Sequence, residues 1–360
     1  MIDTQGAASR DNRSGQSAAV TDCPTYRAQL ARKLVAHCAN YRGAITWRGI
    51  YQLATTGAAF FAAIAIAMWS VDYSYWLTLA IIVIAAGLLV RLFIIQHDCG
   101  HGSFFHSRRA NDLVGRITSL LTLTPYGFWR MSHATHHASS GNLDKRGIGD
   151  VDTLTVREYL NRSRWRRLSY RLYRNPLILL LVGAPVHFLL LQRLPNGVSH
   201  PSREAWISVL SLNAAIILFY GLVIFAIGAK LFFLVLLPVS LIAAWVGGWM
   251  FFIQHQFEAT HWSQGSDWDF HIAAIFGSSY YVLPRVLQWF TGNIGLHHIH
   301  HLCSKIPNYR LQECLDASPE LQQLNRLTIW QSLRCVQLAL WDEAQNKLIS
   351  FRQLKRLQMA

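Results

Sequence analysis

The chain has 360 residues, a formal net charge of +14, 52% apolar residues and only 14% Asp, Glu, Lys and Arg, where a soluble protein carries about 25% charged residues. So few charges cannot cover the surface of a 40.9 kDa globule, which excludes an ordinary soluble enzyme, and long uncharged stretches exclude the nucleic-acid binder that the basic balance alone would suggest. The six cysteines form no C-x-x-C pair, so neither a disulfide framework nor a zinc finger is expected, whereas 16 histidines are far more than packing requires.

Residues 1–22 are polar, rich in Ser, Gly and Ala, and show no cleavable signal pattern; the whole of 1–45 reads as a polar, disordered segment. Four stretches then run with almost no charge, about 49–71, 74–95, 205–228 and 231–253, each close to the roughly 20 residues that carry a helix across about 30 Å of hydrocarbon. Asp72 divides the first two and Lys230 the last two, so the four spans form two hairpins with tight turns. All of the 33 Lys and Arg except Arg91 and Lys230 fall outside these spans and turns, in the N-terminal segment, the 96–203 connection and the tail from 254. By the positive-inside rule both termini are cytoplasmic, in the inner membrane if the cell is bacterial, and Arg91 snorkels from the end of span two.

Two weaker apolar segments, about 113–129 and 176–193, are too short or too interrupted by Pro176 and Pro185 to span, and read as interfacial or re-entrant. Between them Arg162 to Arg174, with Tyr170 and Tyr173, reads as a basic juxtamembrane helix on anionic headgroups. The expected architecture is therefore an all-α integral membrane protein. A membrane domain over 46–315 carries a histidine-rich cytoplasmic cap, and a helical cytoplasmic tail covers 316–360.

Span two continues without a helix breaker into His97-Asp98-Cys99-Gly100-His101, which puts two imidazoles on one face at i and i+4, a spacing that lets them share a metal. The second cluster is His133-Ala134-Thr135-His136-His137 and the third His297-His298-Ile299-His300-His301. Both contain H-x-x-H-H, and all three clusters lie on the cytoplasmic side. His255 sits just past the end of span four. Adding His97, His101, His133, His136, His137, His297, His300 and His301 gives nine imidazoles, too many for one ion and enough for two. Neutral imidazole suits iron, copper, nickel or zinc, and two redox metals at the mouth of a membrane cavity point to oxygen chemistry on a lipid.

These clusters resemble the three histidine boxes of integral-membrane fatty acid desaturases, most closely the acyl-lipid delta-12, or omega-6, branch. The flanks carry the likeness further: Gly102-Ser103-Phe104-Phe105, Pro125-Tyr126-Gly127-Phe128-Trp129-Arg130, Asn293-Ile294-Gly295-Leu296 and Ile306-Pro307-Asn308-Tyr309. The resemblance covers roughly residues 45–315. It implies a centre of two iron ions, with His255 as a further ligand. It also implies an O2-dependent enzyme that takes two hydrogens from an acyl chain, presented on a lipid or a thioester, to place a second double bond in a monoene. Two of the four electrons that reduce O2 to water come from the chain and two from a separate donor, a ferredoxin or a cytochrome b5-like carrier, because the sequence has no flavin, haem or iron–sulfur motif of its own. Asp98, Asn293 and His298 are candidates for orienting the ligands; the extra His298 blurs which histidine leads the third box.

His37, His106, His187, His200, His261 and His271 share no ligand spacing and read as surface or packed residues. The competing functions are a carotenoid ketolase or hydroxylase or an alkane hydroxylase, which would need the same boxes and a different tunnel, and a histidine-rich metal transporter. The transporter would need ionisable groups at the membrane midplane, whereas spans one and three carry no charge.

Overall fold

The structure is a computed structural model that describes residues 24–147, 149–198 and 200–359; the disorder expected for 1–22, and Cys23, lie outside the described residues. Residues 24–45 depart from the expected disorder. Helix α1 (Pro24–Ala39) forms because Leu30, Leu34 and Cys38 recur every fourth residue, and it buries that stripe against the segment that carries the third histidine box.

Helices α2 (Thr46–Ser70) and α3 (Tyr75–His101) pack along their length. The turn between them is pinned by the Ser70 and Thr78 hydroxyls, 2.8 Å apart and buried, and Ser74 caps α3. No Gly or Pro interrupts the last turns of α3 until Gly100, so the helix carries past its apolar run and delivers His97 and His101. It stops at Gly102, whose φ of 63° is left-handed and cheap only for glycine. Arg91, one of the two cations outside the basic segments, is held part-way along α3: its Nε donates to Thr56 Oγ1 at 3.2 Å, and its guanidinium sits 4.2 Å over the Trp289 ring.

The stretch expected as one interfacial segment over 113–129 is two helices, α4 (Arg108–Thr122) and α5 (Tyr126–Ser139), broken at Leu123 with φ 55°. After β1 (Leu154–Thr155), α6 (Val156–Leu160) and α7 (Arg164–Tyr173), the apolar segment Leu177–Arg193 turns away at 57°. Its π-helical turns follow Pro176 and Pro185, which supply no amide to the ordinary ladder. Then comes a 53-residue helical stretch, Arg203–His255, containing α8 (Arg203–Leu231) and α9 (Leu237–His255). Gly228, at φ 82° and ψ 153°, breaks it, and the rings of Tyr220 and Phe232 on either side lie 6.0 Å apart. Among the described residues, Thr46–Ser70, Tyr75–His101 and Arg203–His255 are three helical stretches long and apolar enough to cross a membrane, and the bent pair Arg164–Tyr173 and Leu177–Arg193 would be a fourth if taken as one span.

The chain returns to the histidine end through α10 (Phe270–Phe276), β2 (Tyr280–Val282), α11 (Arg285–Phe290), α12 (His297–Leu302), α13 (Asn308–Asp316) and α14 (Pro319–Gln323). It closes with β3 (Arg326–Thr328), α15 (Ile329–Cys335), β4 (Leu338–Asp342), β5 (Lys347–Ser350) and α16 (Phe351–Leu357). The all-α expectation and the helical tail over 316–360 are thus corrected. β1, β4 and β5 form a three-stranded sheet, β1 parallel and β5 antiparallel to β4, while β2 pairs with β3 in parallel. The physical reason is length: Leu338–Asp342 is buried on both faces and ends in a turn where Asp342 accepts from the Ala344 amide and Asn346 takes φ 50°, leaving a short run that pairs rather than coils.

Candidate metal centre

Four elements converge at the histidine end. α3 supplies His97 and His101, α5 supplies His133, His136 and His137, the end of α9 supplies His255, and α12 supplies His297, His300 and His301. They sort into two groups, His97, His101, His133, His137 and His300 in one, and His136, His255, His297 and His301 in the other; within each group one nitrogen per ring lies within 4.8 Å of every other. The H-x-x-H-H spacing explains the sorting. His133 and His137, about 40° apart round the helix, point to one group while His136, about 60° and 100° from them, points to the other, so α5 serves both; α12 does the same with His297 and His301 against His300.

The facing atoms are Nε2. His133 lies 3.0 Å from His97 and 3.1 Å from His137, which is 3.1 Å from His300; His255 is 3.1 Å from both His136 and His297. The outer nitrogens show what these Nε2 atoms carry. His255 Nδ1 donates to the Gly277 carbonyl at 2.9 Å, and Asp150 Oδ1 lies 2.8 Å from His136 Nδ1. The His255 ring therefore holds its proton on Nδ1 and turns a bare Nε2 lone pair towards the Nε2 atoms of His136 and His297, where a cation can be bound. Buried His101 Nε2 and His301 Nε2 have no hydrogen-bond partner. Two nitrogens at right angles around an ion roughly 2.1 Å away would lie about 3.0 Å apart, the separation seen here. The clusters are able to bind metal.

Around the imidazoles runs a buried polar chain. Asp98 Oδ1 lies 3.1 Å from His97 Nδ1, and its Oδ2 accepts from the Asn308 backbone amide at 2.6 Å and from Asn308 Nδ2 at 2.9 Å. Asn308 Oδ1 in turn accepts from Gln52 Nε2 of α2. Asn293, at φ 59°, touches no imidazole; its Nδ2 donates to the Asn308 carbonyl and so ties the strap before the third box to the same chain. His298 belongs to neither group: its Nε2 faces the Leu321 carbonyl at 3.0 Å and its ring stacks on Tyr280, which leaves His297 to lead the third box. His37, His106, His187, His200, His261 and His271 are outside both groups.

Sequence reasoning missed Asp150, Asn308 and Gln52. Asp150 follows His136 by a loop with no periodic signal; its one trace is Gly149, at φ 70°, where a Cβ would come within 3.0 Å of the His136 Cβ. Replacing Asp98 by Asn leaves one oxygen for the two places that Oδ1 and Oδ2 now serve, so that an NH2 group must face either His97 Nδ1 or the two Asn308 N–H donors. Metal affinity, read by chelator competition, is expected to fall about 10- to 100-fold; unchanged affinity would refute this role.

Burial, and then the neighbouring imidazoles, holds His133, His137, His297, His300 and His301 well below the usual histidine range, so all five are neutral and ready to ligate at neutral pH. The unfolded chain titrates near 6.5 and takes up protons that the folded chain refuses. Stability conferred by these groups is therefore present above about pH 6.5 and lost as pH falls below it. A melting temperature for metal-free protein that stays flat from about pH 8 to about pH 5.5 would contradict this.

Apolar helices that end in two clusters of converging histidines define a membrane protein with a polyhistidine metal-binding centre. The sequence profile described as fatty acid desaturase matches residues 74–332. A fatty acid desaturase of Bacillus subtilis (strain 168) is 41% identical over 330 residues, 92% of this chain and 93% of that protein. The sn-1 acyl-lipid omega-3 desaturase (ferredoxin) of Synechocystis is 31% identical over 67% of this chain and 68% of its own length, and the chloroplastic sn-2 acyl-lipid omega-3 desaturase (ferredoxin) of Arabidopsis thaliana is 27% identical over 69% of this chain and 55% of its own. The chain belongs to the fatty acid desaturase family, a family of oxidoreductases of lipid metabolism.

Proposed function

We propose that the protein is an O2-dependent acyl desaturase with two iron ions. His97, His101, His133, His137 and His300 would hold one ion and His136, His255, His297 and His301 the other. The observation that carries this reading is the sorting of nine facing imidazoles into two groups. Bound iron would supply the oxidising power for an unactivated C–H bond, which no side chain has. The residues of the chain present neutral nitrogens, fix their direction through Asp98, Asp150 and the Gly277 carbonyl, and keep the group around His255 buried from water.

An apolar cavity of about 50 Å³ lies between Leu89, Val90 and Phe93 of α3, Phe188, and Ala243, Ala244 and Gly247 of α9, and Phe93 is one helical turn before His97. Phe93 leads from it to Trp129, which stacks on His133. We place the acyl chain along this path. The electron donor is a separate protein; three relatives bear ferredoxin in their names. The regiochemistry we assign is delta-12, on the box flanks. An omega-3 outcome is the second reading, favoured by the similarity to omega-3 desaturases. Expression with a donor in a host that lacks polyunsaturated lipids tests both.

We also propose four spans in two hairpins with both termini in the cytoplasm. A straight 53-residue helix would reach about 80 Å, far beyond the bilayer, and the break at Gly228 supports a fold-back there. Lys230 Nζ lies 3.0 Å from Asp72 Oδ1, which joins the two turns at the end remote from the histidines. A cysteine in place of exposed Asp72 is expected to react with an impermeant thiol reagent outside intact cells, whereas a cysteine in place of Arg356, exposed on α16, is not. Labelling at position 356 from outside intact cells would reverse the orientation.

A further inference from the structure

We propose that α7 is a dedicated contact for anionic phospholipid headgroups, so that the protein reads the charge of the bilayer surface. At 100° per residue, Trp165, Leu168 and Leu172 fall within about 60° of one another on α7. They form an outward stripe, 80%, 47% and 51% exposed. The opposite face is anchored: Tyr170 is buried and its hydroxyl donates to the Ala339 carbonyl, and Arg174, just past the helix, donates to Gln256 Oε1 and the Leu338 carbonyl. Between these faces lie Arg164 and Arg171 on one flank and Arg166 on the other, all exposed. None of the three pairs with a carboxylate among the described residues; Arg171 Nε is spent on the Tyr159 hydroxyl.

An apolar stripe pointing outward with cations on both flanks is the reverse of a soluble helix, and it fits a bilayer surface. The ring and the two leucines would sink to the acyl boundary while the guanidiniums meet phosphate on either side. The next segment continues the same surface, with Leu177, Leu181 and Val182 more than half exposed, and its 57° bend from α7 is how a helix lying on the surface would join one that dips into it. An acidic redox protein could pair the arginines but would leave the stripe facing water.

This inference rests on the membrane part of the proposed function and not on the metal. The test is amide hydrogen exchange, read by mass spectrometry on the full chain in nanodiscs of phosphatidylcholine alone or mixed with phosphatidylglycerol. Amides of residues 164–173 are expected to exchange about tenfold more slowly in the anionic discs, and high salt should narrow the difference. The double variant Arg164→Gln with Arg166→Gln should lose it, while exchange in α3 from the same spectra shows that the variant is folded. Equal exchange in both lipids overturns the proposal. So does slowing that appears only when an acidic redox protein is added. Iron content and lipid products of the same samples report separately on the metal reading: metal-free, inactive protein that still shows the lipid effect would sink that reading and leave this one standing.

Discussion

Alanine at His136 is expected to lower the metal content from two ions to about one per chain and to abolish desaturation, a loss of at least about 100-fold. The ring is one of four in its group. Its Nε2 faces His255 at 3.1 Å, and its outer nitrogen is held by Asp150 inside a buried shell. Truncation removes a donor that no neighbour can replace, because the imidazoles beside it on α5, His133 and His137, already face the other group. His298→Ala is the decisive control. That ring is equally buried and sits in the same hexapeptide as three candidate ligands, yet it bonds the Leu321 carbonyl and stacks on Tyr280. Its loss is expected to lower the melting temperature and to leave both ions in place. Metal analysis of the purified variants, alongside lipid products, decides. Full activity in His136→Ala with unchanged iron would refute the assignment, and loss of an ion from His298→Ala would move His298 into the centre.

The centre was more legible in the sequence than the fold around it. Helical spacing alone puts His97 over His101 and fans His133, His136 and His137 over two sides of one turn, so the convergence of three boxes is written in local periodicity. What orients them is not. Asp150 reaches His136 across a glycine loop, Gln52 reaches Asn308 from another helix, and the Gly277 carbonyl that fixes His255 has no side chain to notice. The same division holds for the scaffold. Uncharged length marks the membrane helices directly, whereas helix α1 depends on burial against the third-box segment more than two hundred residues away, and β1 exists only because β4 comes alongside it. The sequence reads α1 as disorder and the tail that carries β4 and β5 as helix, since a short segment that is stabilised by a remote partner leaves little local signal.

In a host without polyunsaturated lipids, supplied with a reduced donor, the protein is expected to convert an 18-carbon monoene into the delta-9,12 diene. Each requirement follows from a different part of the molecule. Oxygen and the donor follow from the proposed reaction, in which two hydrogens would leave the chain and two further electrons would come from outside, so that O2 would end as two waters. The existing double bond would matter because the cavity in which we place part of the acyl chain is walled by α3, Phe188 and α9, so that position in it would be set by where the bent chain stops. Filling the cavity should therefore change the product before it changes the centre. Ala244→Phe, on a buried face of α9 in the cavity wall, is expected to cut conversion of the long monoene about tenfold or to move the new bond, with iron content unchanged. Mass spectrometry that locates double bonds reads all of these outcomes. A bond at the omega-3 position would leave the centre and the chemistry standing and shift only the register, towards the relatives that carry that name. An alcohol or an oxygenated carotenoid would refute desaturation itself.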